Sequence, residues 1–159
     1  MSNLRNASLN VASFAMKCVE EGKDDKYIDN KKYKTLVKKI STLIQKNGFI
    51  NTLVFVLSKS NIENPKKEDI IKKQYNNKIL NDIIKWNYEN DKINNLIDFE
   101  KYEIDINDND DKYNTINIAK YIQAVTELNQ SQYKLITKEM MSLFGWIKRF
   151  ADGMIEGEG

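Results

Sequence analysis

The sequence predicts an all-α protein, a compact single-domain bundle of about five to six helices. Its 159 residues match one average domain and can bury a continuous core without disulfides or metal. Hydrophobic residues make up 41% and charged residues 30%, the mixture of an ordinary folded protein. One Pro and six Gly are too few breakers for a many-stranded sandwich and favour long helices. We therefore expect residues 1–159 to form a single helical domain.

The first two helices follow from apolar residues that recur every three or four positions. The first is predicted to begin near Ser2, a good N-cap residue, and to end at Gly22. The second is predicted over residues 31–46, with Asn47-Gly48 as its end. The apolar stripes comprise Leu4, Ala7, Val11, Phe14 and Cys18 in the first helix, and Tyr33, Leu36, Val37, Ile40, Leu43 and Ile44 in the second.

The middle of the chain predicts two further helices. Residues 49–58 are ambiguous by periodicity, because the unbroken apolar run 53–57 also suits a buried strand; we predict a third, largely buried helix there. Asn64-Pro65 is a good helix start, since Asn can cap and Pro suits the first helical position. A fourth helix is predicted from this pair to about Asn90, with an apolar face of Ile70, Ile71, Tyr75, Ile79, Ile83, Ile84 and Trp86.

An acidic, Asn-rich segment near residues 91–113 is predicted to be an exposed connection, with room for a short helix around residues 96–99. Helical spacing returns from Thr115 and again after residues 129–131. The acidic, Gly-rich end at residues 156–159 should fray. The apolar faces comprise Ile118, Tyr121, Ile122, Val125 and Leu128 in the fifth helix, and Tyr133, Ile136, Met140, Leu143, Phe144, Ile147, Phe150 and Met154 in the last.

Several kinds of catalytic and cofactor site are missing from the sequence. It contains no His, which excludes the usual Ser and Cys triads and the imidazole ligands of most catalytic zinc sites. No Gly-rich phosphate-binding loop occurs, and the acidic run 105–110 lacks the Gly and the final Glu of a calcium loop. We therefore expect no enzyme activity, cofactor, metal or small-molecule substrate, although a nuclease built from carboxylates alone stays open.

The chain also lacks signs of secretion or of membrane insertion. Cys18 is the single cysteine and lies on an apolar stripe, so we interpret it as a small buried residue rather than a reactive thiol. The longest apolar stretch, residues 49–57, is interrupted by Asn51 and Thr52 and has about half the length that spans a bilayer. These features predict a cytoplasmic protein without membrane contact.

Charge is unevenly distributed along the chain, although the net charge is only +2. Residues 1–60 contain eleven Lys or Arg and five Asp or Glu, whereas residues 89–111 contain two and nine. Segregation of this kind indicates a charged partner or an internal counter-surface.

Basic residues follow the outer sides of two predicted helices. Lys31, Lys34 and Lys38 lie three and four residues apart, opposite the apolar stripe of the second helix. Like charges at this spacing weaken a helix, so the ridge suits an external partner such as a phosphate backbone, and replacing Lys34 and Lys38 should not reduce stability. A solvated face in a Lys-rich chain is the alternative interpretation. Further basic residues are Lys39 and Lys46 on the flank of this helix, and Lys134, Lys138 and Arg149 on the last one, beside Ser142 and Gly145.

Two stretches carry a family resemblance. The first comprises Tyr33-Lys34-Thr35-Leu36-Val37-Lys38-Lys39-Ile40 with residues 43–49 and 53–57, and it resembles the amino-terminal signature of the small subunit of the type III-B (Cmr) CRISPR effector complex. The second comprises Tyr133 with residues 137–139 and 146–151, and it is similar to that family's carboxy-terminal signature. Their order and separation agree with the family. Ser41 stands where the family's Pro is expected, which predicts a more continuous second helix.

The resemblance implies a helical, non-catalytic subunit that stacks in several copies along an RNA-guided filament. Its implied partners are guide RNA, target RNA, other Cmr effector subunits and neighbouring copies of itself, and its RNA contacts would be independent of base sequence. The alternative is a helical scaffold that makes protein–protein contacts only. Trp146, at the edge of the last apolar face, is expected to pack in the core rather than stack on bases. The predicted RNA-binding residues are Lys34, Lys38, Lys39, Lys46, Lys148 and Arg149.

Overall fold

Six α-helices form the regular structure of the described chain. The computed structural model describes residues 2–60, 67–106 and 116–157, with the side chains of residues 9–60, 74–106 and 117–157, and it contains no strand within these ranges. The predicted all-α class of five to six helices is confirmed. The helices are α1 (Ser2–Asp24), α2 (Asn30–Asn47), α3 (Phe49–Ser60), α4 (Lys67–Glu89), α5 (Ile116–Thr126) and α6 (Gln130–Met154).

The last helix, α6, is the element on which α1 and α2 pack most extensively. α2 runs antiparallel to it, since Lys38 meets Asp152 at one end and Ile50, just beyond α2, donates its backbone N–H to the Tyr133 hydroxyl at the other. α4 packs mainly on α3 and also contacts α1, α2 and α5. The predicted apolar face of α6 is confirmed by the buried residues Ile136, Met140, Leu143, Phe144 and Ile147.

Local capping explains where α2 and α6 begin and where α2 ends. The Asp29 side chain accepts the Lys32 N–H at the start of α2, and Asn129 and Gln132 form a capping box at the start of α6. Gly48 ends α2 with a φ of 86°, a left-handed value that favours glycine. α2 continues unbroken through Ser41, as the absence of the family's Pro predicts.

The prediction that Gly22 ends the first helix is wrong, because α1 continues to Asp24. Gly22 is buried inside the helix, and a Cβ built on it would lie 2.9 Å from the Cε2 and Cζ atoms of the Tyr33 ring. The glycine therefore allows α1 and the Tyr33 side chain of α2 to approach closely.

α3 is a helix, as predicted, but it is not largely buried. Phe49, Leu53 and Val56 face the core, whereas Val54 and Phe55 are 48% and 41% exposed. The unbroken apolar run therefore forms a helix with one buried face, and the apolar residues on its other face are exposed to solvent. α3 begins and ends close to prediction, and α4 ends at Glu89, close to the predicted Asn90. Asn64 and Pro65, the predicted start of α4, lie outside the described residues.

Residues 91–106, within the predicted exposed connection 91–113, join α4 to α5 and are exposed only in part. This segment is a series of turns without a helix at residues 96–99, and Ile93, Ile97 and Ile104 are buried in the core. The acidic side chains between them remain exposed, because the turns direct apolar residues inward and carboxylates outward. Residues 107–113 lie outside the described residues. Within the end predicted to fray, residues 156–159, the Gly157 carbonyl accepts a hydrogen bond from Lys34.

Candidate nucleic-acid interface

Lys34 lies where α2 passes the C-terminal end of α6, and its predicted exposed position is wrong. The residue is 6% exposed, and its Nζ donates to the carbonyl oxygens of Ile155 at 2.9 Å and Gly157 at 2.6 Å. Near a helix C-terminus such carbonyls lack partners within the helix and carry partial negative charge, so a buried cation is stabilised there. With about 3.6 residues per turn, Lys34 lies at the border of the apolar face, and α6 covers that border. Lys34 is therefore a structural cap.

Lys38, one turn after Lys34, forms an ion pair with Asp152 on α6. Its Nζ lies 2.8 Å from the Asp152 Oδ1, and the two side chains are 29% and 46% exposed. The hydrogen bond from Lys38 holds the pKa of the Asp152 carboxyl below its ordinary value. Desolvation opposes this shift, and the charges of Lys38, Lys34 and Lys148 lower the pKa further. Three of the six predicted residues thus lie around one carboxylate.

Lys39 and Lys46 occupy a different side of α2. They are seven residues apart and share one face, and both side chains are exposed. Lys39 is rotated by about 100° around the helix axis from Lys38 and so points away from Asp152. These two lysines keep the exposed position that the sequence predicts.

Arg149 is exposed on α6 and lies over the ring of Trp146. Its guanidinium carbon lies 4.9 Å from the centroid of the Trp146 ring, and Trp146 stacks with Phe150 at 6.0 Å and 27°. Trp146 is half-buried, so the prediction that it packs in the core holds for part of the side chain only. On the same helix, Gly145 has open space where a Cβ would stand. This side of α6 combines a cation, a partly exposed indole and an uncrowded backbone.

Asp152 is the residue that sequence reasoning missed. It follows Lys148 by four positions, the spacing at which opposite charges meet on a helix, and this was the available signal. Its pairing with Lys38 joins positions 114 residues apart, which a helical period cannot reveal. Tyr133, noted for the family signature, has a second role, since its hydroxyl receives the Ile50 N–H near the start of α3.

Two features of the described residues concern metal binding and thiol reactivity. Within it no group of three or more His, Cys, Asp or Glu is arranged to hold a metal ion. Cys18 is buried, as predicted, and its burial raises the pKa of the thiol well above 9.0, which keeps the sulfur protonated at neutral pH. No described helix has both the length and the apolar character needed to cross a membrane.

Comparison with protein families identifies the relationship that the two sequence signatures suggest. The family model described as CRISPR-associated protein (Cas_Cmr5) matches residues 7–154. The chain belongs to this family. Members of the Cmr5 family are the small subunit of type III-B CRISPR complexes, so the predicted family membership is confirmed. Membership implies association with other Cmr effector subunits. The match includes α2 and α6, the two helices that carry all six predicted RNA-binding residues.

Proposed function

We propose that this chain is a non-catalytic subunit that binds guide and target RNA through the phosphate backbone. Several copies stack along the type III-B filament in this proposal, and the contacts do not depend on base sequence. The observation that carries the proposal is the pair of adjacent helices α2 and α6, both of which present cations to solvent. The proposed contacts are Lys39, Lys46, Lys148 and Arg149, together with Lys38 when its ion pair with Asp152 opens; Lys34 is omitted because it is buried.

A backbone-binding role is supported by the kind of side chain on these two helices. Lysine supplies a charge without a fixed geometry, which suits phosphates at variable positions, whereas Arg149 adds a planar group beside an indole. Phosphate contacts of this kind carry no sequence information. Proteins that bind single strands without sequence preference combine such cations with aromatic rings.

The scaffold alternative is supported by a separate observation on α3. Val54 and Phe55 expose apolar surface, and partly exposed apolar side chains are typical of protein–protein contacts. A chain that only bridges protein subunits would use this face and would need no RNA contact.

The deciding experiment is RNA affinity as a function of salt for the wild type and a Lys39→Ala, Lys46→Ala double variant. The two lysines are exposed on one face, so their removal should leave the fold intact. If each contacts one phosphate, the slope of log affinity against log salt flattens by about 0.7 per contact on single-stranded RNA. The loss should be equal for unrelated sequences. A matched control is the Lys26→Ala, Lys101→Ala double variant, which removes the same charge from surface lysines that lie over neighbouring tyrosine rings.

Both variants are measured in isolation and in the assembled complex. Two results would favour the scaffold function. One is a wild-type RNA affinity that does not depend on salt, and the other is a Lys39→Ala, Lys46→Ala variant that binds RNA as well as the wild type in both settings. RNA incubated with the isolated chain and magnesium or manganese should remain intact, whereas metal-dependent cleavage abolished by replacing one carboxylate would contradict the non-catalytic role.

A further inference from the structure

The carboxylate of Asp152 occupies the position on Lys38 that an RNA phosphate would need. We propose that Asp152 is an internal counter-anion that holds Lys38 and sets how many phosphates this face can bind. The inference rests on the proposed RNA-binding function and adds a residue that controls it. Its ligand is a phosphodiester of single-stranded RNA.

The geometry makes the carboxylate and a phosphate direct competitors. Asp152 accepts from Lys38 at 2.8 Å, an ordinary distance for a charge-assisted hydrogen bond. Both side chains are partly exposed, so a phosphate from solvent can reach the ammonium group. While the pair is closed, the positive charge of Lys38 is neutralised locally, and the carboxylate also repels a phosphate that approaches the nearby Lys148.

Asp152 has no evident role in holding the helix end. It lies in the last turn of α6, where a negative side chain is unfavourable because the C-terminal end of the helix dipole is itself negative. The cap of α6 is formed by the Ile155 N–H, which donates to the Ala151 carbonyl, and by Lys34. The carboxylate is therefore stabilised by the surrounding cations rather than by the helix.

Lys34 and Lys38 illustrate the difference between a cap and a counter-anion. Lys34 binds neutral carbonyl oxygens and is buried, so it is inaccessible to RNA. Lys38 binds a charged group at the surface, so the same cation can exchange partners. Of the three cations around Asp152, Lys38 and Lys148 are accessible to a phosphate; the carboxylate pairs with Lys38 and interacts with Lys148 through its charge only.

The test is an Asp152→Asn variant, which retains the size of the side chain and an oxygen acceptor for Lys38 while it removes the charge. We expect RNA affinity to rise by about two- to fivefold at low salt, the range of a surface charge pair. The salt slope should steepen by about 0.7, because Lys38 then contacts a phosphate. Adding Lys38→Ala to Asp152→Asn should abolish the gain and the extra slope.

Glu100→Gln is the matched control, since it removes one exposed carboxylate from the turn segment that follows α4. Equal gains for Glu100→Gln and Asp152→Asn would overturn the inference in favour of a general charge effect, as would a gain that persists without Lys38. An unchanged or weaker affinity in a folded Asp152→Asn variant would overturn it as well.

Failure of the proposed function gives a different result. If the wild type and the Lys39→Ala, Lys46→Ala double variant have equal RNA affinities that do not depend on salt, the proposed phosphate-backbone binding is wrong for the native chain. In that case, a rise in RNA affinity in Asp152→Asn that requires Lys38 would still support the counter-anion role of Asp152. No rise in affinity would contradict both the proposed function and the counter-anion role.

Discussion

Lys34 and Lys38 lie one turn apart on α2, and the end of α6 gives them different partners. Lys34 is buried against two carbonyl oxygens, and Lys38 forms a surface ion pair. From the sequence, Lys34 and Lys38 were predicted to lie on an exposed ridge of α2. Helical spacing describes a single helix and contains no information about α6, which covers the edge of the apolar face of α2. A residue that was expected to be dispensable for stability therefore contributes to it.

We predict that Lys34→Ala lowers the free energy of unfolding by about 1–3 kcal/mol, the range for hydrogen bonds that involve a charged group. Two carbonyl oxygens lose their donor, and the apolar part of the side chain leaves a gap. Urea denaturation gives the value. Lys31→Ala, one turn earlier and exposed, should change stability by less than about 0.5 kcal/mol. Equal effects of the two substitutions would contradict the capping role.

At the scale of elements, two helical glycines have opposite surroundings. Gly22 faces the Tyr33 ring at 2.9 Å and the Lys78 Cε at 3.3 Å from a Cβ position, whereas Gly145 has no neighbour within 4 Å. The sequence alone suggested a helix end at Gly22. The structure instead shows a close approach of the Tyr33 ring to the backbone there.

We predict that Gly145→Ala raises the free energy of unfolding of the isolated chain by about 0.5–1 kcal/mol, because alanine is favoured in helix interiors. Gly22→Ala gains the same propensity but overpacks a buried ring, a change that typically costs about 1–3 kcal/mol, so its net effect should be destabilising. Thermal or urea unfolding of both variants checks the pair. Stabilisation by Gly22→Ala would mean that Tyr33 moves aside freely.

Helices α1, α2 and α4 meet around a set of buried ionisable groups. Burial raises the pKa of the Cys18 thiol and of the Tyr33 hydroxyl, and the charge of nearby Asp82 adds to both. Burial would lower the pKa of Lys78, but the ion pair with Asp82 at 2.9 Å and the charges of Cys18 and Glu21 together raise it. The folded state therefore retains protons on all three groups at pH values where the unfolded chain releases them.

Because the folded state binds more protons than the unfolded chain at alkaline pH, we predict that the free energy of unfolding falls as pH rises. The ordinary pKa values are 9.0 for the Cys18 thiol, 10.0 for Tyr33 and 10.5 for Lys78, and all three are raised in the fold. Each contribution is present below the ordinary value and is lost as pH rises toward the folded value. Urea midpoints from pH 7 to 11 should decline above about pH 9, and Cys18→Ala should make the first part of the decline shallower. A midpoint that stays constant to pH 10.5 would contradict the raised values.

At the scale of the whole molecule, the fold was predictable where helical periodicity is strong. The ends of α2, the long apolar face of α6 and the helical nature of α3 follow from spacing and capping residues. The burial of residues in the turn segment 91–106 was not predictable in the same way. Its apolar residues are irregularly spaced among acidic ones, so no helical or strand period indicates which of them are buried. The sequence locates the lysines and Arg149 on α2 and α6, whereas the accessibility of each cation depends on long-range contacts such as that of Lys38 with Asp152.

The buried turn segment gives a prediction of its own. Ile93 is fully buried, so Ile93→Ala should lower the free energy of unfolding by about 2–5 kcal/mol through lost transfer energy and a residual cavity. Asn95→Ala, exposed two residues later, should have little effect and serves as the control. A cost below about 1 kcal/mol for Ile93→Ala in urea denaturation would mean that the segment behaves as the loose connection that its composition suggests.

The position of α6 has a consequence for how the chain acquires its structure during synthesis. α6 packs on α1 and α2, yet Lys34 and the Ile155 carbonyl that it binds are separated by 121 positions. Contacts of such sequence separation close slowly, since most of the chain must be ordered before they form. While the ribosome is still translating the middle of the chain, α1 and α2 can be helical but their apolar stripes lack the surface that covers them. The amino-terminal half should therefore remain exposed to chaperones until α6 has left the exit tunnel, and maturation should finish in one late, cooperative step.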